Sequence, residues 1–316
     1  MHWLIFGAKG WIGRQVYDIL IQQNHQVTPI TENLQTAHDV KQVFNTTHGV
    51  DRVFIAIGRA YLPEHRIPQD YQGGGLRGTI DDLEHPAVLP VNLRDNVYLP
   101  MIIAEECVQR NIHCTYLGTG CIYEFDDEHP KAIDGKGFRE TDTPNYTGSS
   151  YSTAKTLTDQ WFTHYRNDKV LNLRIRMPIT NTWNPRNFLY KILKYETIVS
   201  IPNSMTILPE LMPIALELAA AKYTGTLNLV NPGPMTHQDM LEMIAKTWNI
   251  QLKCKFTENP DDIQTVVRAR RSNNHLEAHR LMALTNGRVS QLSVGLQSLL
   301  DHWKPTEQEL MELGYS

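Results

Sequence analysis

Cysteine is scarce: Cys107, Cys114, Cys121 and Cys254 are the only four in 316 residues. None forms a Cys-x-x-Cys pair or a metal-like cluster with histidine, so neither a disulfide framework nor a metal site is expected, and a reduced cytoplasmic setting follows. An excess of either charge is also lacking, with 30 Lys and Arg against 34 Asp and Glu and a net charge of -4. The one arginine cluster, Arg268, Arg270 and Arg271, is too short for a nucleic-acid surface, so no nucleic-acid partner is expected. No apolar run reaches the roughly 18 residues of a membrane span, and His2–Phe6 is too short for a signal core. Repeats and low-complexity segments are missing too. The chain does have 41% hydrophobic and 20% charged residues, enough apolar surface for a packed core. Its length fits one large domain, or a core domain with a smaller partner.

The first informative stretch is glycine-rich. His2–Phe6 reads as a strand, Gly7-Ala-Lys-Gly-Trp-Ile-Gly13 as a turn, and the residues to about Gln23 as a helix with Ile12, Val16, Ile19 and Leu20 in its apolar stripe. In that context the turn is a dinucleotide site. Gly7, Lys9, Gly10, Trp11, Ile12 and Gly13 are the candidate cofactor contacts, with a pyrophosphate at the positive end of the helix. A second strand, His25–Ile30, ends at Thr31 and Glu32, where a nucleotide ribose is read. Glu32 favours NAD, whereas Lys9 and Arg14 suit a 2′-phosphate, so the two cofactors stay open. A helix at Val40–Phe44 and a strand at Val50–Ile57 continue the alternation that builds a parallel sheet. Residues 59–88, with Gly73, Gly74 and Gly75, read as a long loop, either a lid or plain surface. Leu89–Arg110 reads as a helix that Pro100 kinks or breaks, with Asn92 and Asn96 either in polar contacts beside the site or, the preferred reading, on a solvated face.

The second stretch runs from Leu117 to Lys155. Thr119 and Cys121 follow a short buried strand, Cys114–Leu117, as alternate residues that share a side. About thirty residues of acidic loop later, Tyr151 and Lys155 open a helix four apart, on one face. Alone, that pair is an ordinary amphipathic helix. With a dinucleotide turn upstream it becomes a proton donor: the ammonium is expected to lower the phenol from its usual value of about 10, and Thr119 to complete a donor pair at a carbonyl oxygen. Val170–Met177 alternates as a strand, with Asn172, Arg174 and Arg176 on its polar side. Beyond Pro178 the elements shorten, so the division is placed there: a dinucleotide-binding domain at 1–178 and a mainly substrate-binding domain at 179–316.

The glycine turn and the Tyr-x-x-x-Lys pair, in this order, resemble the extended short-chain dehydrogenase/reductase family. Gly118-Thr-Gly-Cys-Ile-Tyr123, Pro144-Asn-Tyr-Thr-Gly-Ser-Ser-Tyr151, Leu173-Arg-Ile-Arg-Met-Pro178, Asn184-Pro-Arg-Asn-Phe188 and Arg271-Ser-Asn-Asn274 narrow the likeness. They are similar to the bifunctional UDP-4-keto-6-deoxy-D-glucose 3,5-epimerase/4-reductases of plants and giant viruses. The resemblance implies an α/β fold, a Rossmann-type doubly wound parallel sheet with a smaller mixed α/β substrate-binding C-terminal domain. It implies formation of UDP-L-rhamnose from a UDP-sugar, NADPH as cofactor with NADH open, a homodimer, and the cytoplasm, that of the host if the chain is viral. By the same resemblance Cys121 and Lys191 are the acid–base pair of epimerisation. Thr119, Tyr151 and Lys155 serve reduction, with Tyr151 and Lys155 also at the cofactor, and Asn187 and Arg271 bind substrate. Against this stand plainer readings: Cys121 as a small buried hydrophobe, Lys191 as a solvated lysine. Two rival functions remain, a single-function reductase like dTDP-4-dehydrorhamnose reductase and a non-catalytic dinucleotide-binding regulator.

Overall fold

The computed structural model describes residues 1–62 and 75–315. β1 (His2–Phe6) is buried along its whole length. Its alternate residues feed two cores, Trp3 and Ile5 on one face and Leu4 and Phe6 on the other, as a sheet covered on both sides requires. α1 (Trp11–Gln22) leads to β2 (Gln26–Ile30), α2 (Ala37–Thr46) and β3 (Arg52–Ile55). Thr36 and Asp39 start α2 with a reciprocal capping box.

The helix predicted over Leu89–Arg110 comes in three pieces: α3 (Leu89–Leu93), a π turn at Arg94–Tyr98, and α4 (Leu99–Gln109). Pro100 has no N–H, so the Asn96 carbonyl loses its helical donor. The Thr158 hydroxyl supplies one instead, at 2.6 Å. Asn92 and Asn96 are not solvated, contrary to expectation; both are fully buried. Asn96 Nδ2 donates to the Arg59 carbonyl and to Asn92 Oδ1, and Asn92 Nδ2 donates to Ser150 Oγ. This chain of amides ties the end of β3 to the start of α5 (Ser150–Tyr165), which follows β4 (His113–Thr119) and precedes β5 (Val170–Ile175).

Beyond Ile175 the chain forms β6 (Pro178–Ile179), α6 (Phe188–Ile192), β7 (Thr197–Val199), β8 (Thr206–Ile207), α7 (Leu208–Ala220) and β9 (Gly225–Asn228). α8 (His237–Trp248), β10 (Lys255–Thr257), α9 (His279–Leu284), α10 (Leu292–His302) and α11 (Glu307–Glu312) complete it. The main sheet has the order β2-β1-β3-β4-β5-β9, with every pairing parallel. This is the expected doubly wound sheet. Its winding reverses between β1 and β3, so a crevice opens past their carboxyl ends. Although β9 lies after residue 178, it pairs with β5, and α7 packs into the core shared by β1 and α1. A second core, built on α6, α8 and α10, gathers Leu189, Ile192, Met240, Ile244 and Leu296.

Residues 63–74 of the expected lid, with Gly73 and Gly74, lie outside the described residues. The flanks that are described are anchored. Leu62 and Gly78 each donate a backbone N–H to Asp82 Oδ2 at 3.1 Å. The acidic loop after Cys121 is likewise more than a solvated surface. Asp126 accepts from the His129 backbone at 2.8 Å, and Glu140 accepts from Asn228 N at 2.9 Å.

Candidate active site

The glycine turn joins β1 to α1 at the reversal of winding. Gly7 has φ +85°, and a Cβ there would stand 2.8 Å from the Ala56 backbone. A Cβ on Gly13 would meet the Gly7 carbonyl oxygen at 2.2 Å. Only glycine fits either position. Gly10 is the N-cap of α1 and has no side chain to accept from the helix, so the first N–H groups face the turn without a cap. That suits a pyrophosphate. Lys9 Nζ donates to the Thr31 carbonyl at 2.9 Å, reaching the end of β2, while Glu32 folds back to accept from Thr31 N. Arg14 points along its own helix to Asp18 at 3.0 Å and is taken by it.

The donor pair lies two strands further into the sheet, past β3. Thr119, the last residue of β4, accepts from the Cys121 N–H at 3.1 Å, and its hydroxyl lies near enough to Tyr151 to act on that phenol. Ser149 caps the amino end of α5, which places Tyr151 in the first turn. Here the expectation for the phenol reverses. Burial pushes Tyr151 above its usual range and the nearby Cys121 adds to this, while Thr119 and Arg176 oppose it. Lys155 exerts no such pull because its ammonium is turned away, donating to the Tyr116 hydroxyl at 2.5 Å. Burial lowers Lys155 to about 8, with Asp159 and Cys121 acting against the shift. Gly58, at the end of β3, leaves room for that ammonium: a Cβ there would come within 3.5 Å of it. Lys155 thus sits at the crevice, beside Gly58.

Cys121 and Tyr151 line a cavity of about 660 Å³ between the main sheet and the second core. The sulfur is not walled into the interior; the residue is half-buried and faces this space. Arg176, which the sequence showed only as a polar strand residue, donates from Nη1 to Cys121 Sγ at 3.0 Å. Its Nη2 donates to Asn203 Oδ1 and to the Ser272 carbonyl. Met177 follows with φ +38°, a strained backbone for a side chain of its size, and lines the cavity. His237 stands behind it, with its ring bonded to the Val199 carbonyl at 2.7 Å, and burial drives it down to about 4.

The remaining expected contacts are placed less simply. Lys191 lies on α6, whose Phe188 and Ile192 line the cavity. Burial, then Arg186 and Arg271, lower its ammonium to about 8, so it is not an ordinary solvated lysine. Asn187 requires a correction. It is fully buried, and its amide donates to the Thr180 and Thr182 carbonyls at 2.7 and 2.9 Å while its oxygen accepts from Leu189 N. Those bonds cap α6 and leave the side chain nothing to offer a substrate. Arg271 does line the cavity, but Asp81 Oδ1 already holds its Nη1 at 2.5 Å. Arg270 lines the same wall and is exposed, and has no carboxylate partner among the described residues. No group of three or more His, Cys, Asp or Glu that could hold a metal ion occurs among the described residues, nor does a helix long and apolar enough to cross a membrane.

A parallel sheet with a glycine turn at its reversal and a Thr–Tyr–Lys set at its mouth defines the class. Residues 3–187 match the NAD dependent epimerase/dehydratase family, and the chain belongs to it. Among its relatives is the uncharacterized protein L780 of Acanthamoeba polyphaga mimivirus, 42% identical over 304 residues, 96% of this chain and 99% of that one. The crystal structure of the L780 UDP-rhamnose synthase from the same virus matches with a TM-score of 0.86 at 40% identity, covering 95% of this chain and 99% of that chain. An Arabidopsis thaliana relative, a bifunctional dTDP-4-dehydrorhamnose 3,5-epimerase/dTDP-4-dehydrorhamnose reductase, is 35% identical over 283 residues, 89% of this chain and 86% of the relative. The dTDP-4-dehydrorhamnose reductase of Bacillus anthracis, solved with NADP, shares the fold at a TM-score of 0.71 and 15% identity, covering 95% of this chain and 98% of its own.

Proposed function

We propose that this chain converts UDP-4-keto-6-deoxy-D-glucose to UDP-L-rhamnose, by 3,5-epimerisation followed by NADPH-dependent reduction of the C4 ketone. One observation carries the reading: the Cys121 thiol opens into the same cavity as Tyr151, the hydroxyl that Thr119 bonds. A reductase alone needs the hydroxyls; a thiol beside them adds a base. The relatives named above as UDP-rhamnose synthase and epimerase/reductase support it.

The chemistry follows from the ketone. A carbonyl at C4 acidifies the hydrogens at C3 and C5, and inversion needs a base on one face and an acid on the other. Cys121 takes the proton, and Lys191, lowered to about 8, returns one near neutral pH. Thr119 and Tyr151 hold the C4 oxygen while it carries negative charge. Bound at the glycine turn, the dinucleotide supplies the hydride. Tyr151 gives C4 oxygen its proton, and its burial keeps that proton in place until then. Lys155 stays cationic below about 8 and holds the cofactor ribose. Arg270, with Arg271 beside it, takes the diphosphate, since a guanidinium fork suits phosphate. Lys9, at the end of β2, favours the 2′-phosphate of NADPH.

The proposal includes a cytoplasmic homodimer; Leu157 and Tyr165 on α5 are 50% and 64% exposed, and sedimentation at two concentrations checks the assembly. Function is tested by incubating the purified chain with UDP-4-keto-6-deoxy-D-glucose and NADPH or NADH, then reading the product by NMR. The L-rhamno configuration is expected. A C4-reduced sugar with C3 and C5 unchanged leaves only a reductase, and dinucleotide binding without turnover leaves a regulator.

A further inference from the structure

Arg174 and Arg176 stand two residues apart, and each is 1% exposed. Arg174 has a full counter-charge, with Asp159 accepting from Nε at 2.9 Å and from Nη2 at 2.7 Å. Arg176 has none. Among the described residues no carboxylate lies at ion-pairing distance from it. Its protein acceptors are the Asn203 side chain, the Ser272 hydroxyl at 3.4 Å and the Ser272 carbonyl at 3.2 Å, all neutral, and its Nε has no acceptor. A buried ion without a counter-charge is strongly disfavoured. The fold therefore calls for an anion opposite this guanidinium.

One atom is placed to be that anion, the sulfur of Cys121, 3.0 Å from Nη1. The other ionisable groups in its field do not qualify. Tyr151 and Tyr146 are phenols that burial keeps protonated, Lys155 is a cation, and His237 is a neutral ring bonded to a carbonyl.

We propose that Arg176 is the counter-charge that holds Cys121 as a thiolate, making the two a buried guanidinium–thiolate base; this rests on the epimerase reading above. The charges then balance through the step. The thiolate takes the proton at C5 or C3: the C–H bond breaks, an S–H bond forms, and the electron pair moves onto the C4 oxygen. The Lys191 ammonium protonates the same carbon from the opposite face, leaving a thiol and a neutral amine. Solvent carries the proton from sulfur to nitrogen before the second centre reacts. Negative charge leaves the sulfur for an oxygen held by Tyr151, which also lies in the field of Arg176. The guanidinium is thereby positioned for both ends of the transfer.

Site-resolved alkylation tests this, with iodoacetamide at neutral pH and the rate at Cys121 read by peptide mass spectrometry. Cys254, also half-buried but remote from any guanidinium bond, is the internal standard. Arg176→Gln is expected to slow alkylation of Cys121 at least about tenfold, leaving the Cys254 rate unchanged. Arg176→Lys, which keeps the charge, is expected to recover part of the loss, and it serves alone if the glutamine variant does not fold. Cys121 alkylating at the wild-type rate in Arg176→Gln overturns the pairing, as does a lysine variant no faster than the glutamine one. Deuterium exchange by the wild-type chain separates the two readings: with no exchange but the alkylation pattern intact, the pair stands and the epimerase assignment falls.

Discussion

The two proposed half-reactions are housed differently. The reducing set comes from regular elements: Thr119 ends β4, while Tyr151 and Lys155 share the first turns of α5, which packs on the main sheet. The epimerising set comes from connections. Cys121 is in the loop after β4, Arg176 follows β5 just before the strained Met177, and Lys191 is on the short α6. Its supports are distant in sequence, with Asn203 27 residues from Arg176 and Ser272 96. Proton delivery to one fixed oxygen asks for rigid placement of a few groups. Inverting two carbons asks for groups on both faces of a sugar: Cys121 lines the cavity, and Lys191 belongs to α6, whose Phe188 and Ile192 line it. One side of the cavity is the sheet mouth and the other belongs to the second core.

The comparison is sharpened first by chemistry. Tyr151→Phe is expected to lower C4 reduction by about 10²–10⁴-fold, measured in steady state on an already epimerised ketone. A loss below about fivefold would move the proton donor elsewhere. Stability comes next. Thr158→Val leaves the Asn96 carbonyl without a donor beside Pro100, and a cost of about 1–3 kcal/mol is expected in denaturant unfolding. No loss would mean that the π turn satisfies itself. The third is the coenzyme. Lys9→Ala is expected to reduce the ratio of kcat/KM for NADPH over NADH by about tenfold, whereas an unchanged ratio would remove Lys9 from the 2′-phosphate.

The smallest effect is in pH. Lys155 ionises at about 8, so reduction is expected to decline as pH rises through about 8, well below the ordinary lysine value of about 10.5. Stability should move the other way. Between about 8 and 10.5 the unfolded chain binds more protons at Lys155 and Lys191 than the folded one, so these two groups make folding more favourable as pH rises. A reduction profile flat through about 8, with no gain in unfolding free energy over that window, would contradict both signs.

The glycine turn and the start of α5 were legible in the sequence because their signals are local. A strand, three spaced glycines and an amphipathic helix lie within 22 residues, and Tyr151 and Lys155 are one turn apart. The rest depends on what the fold brings together. Alternation placed Arg176 on the polar side of its strand but could not tell that its neighbour would be Cys121, 55 residues away. Arg271 read as an open substrate contact because Asp81 lies 190 residues upstream. Asn92 and Asn96 were read as solvated because helical phase alone does not reveal the π turn that precedes Pro100. The shift expected for Tyr151 had the wrong sign for a physical reason: spacing gave the ammonium as a neighbour, but Tyr116 claims that ammonium and burial dominates.

The division of labour is tested most directly with Cys121→Ala in deuterated water. NMR follows solvent deuterium entering C3 and C5 of the 4-keto sugar, and a parallel assay supplies the already epimerised ketone with NADPH. The account predicts that deuterium entry is lost while reduction of the epimerised ketone persists. Deuterium entering both carbons at the wild-type rate would take the thiol out of the reaction and leave the cavity with a reductase alone.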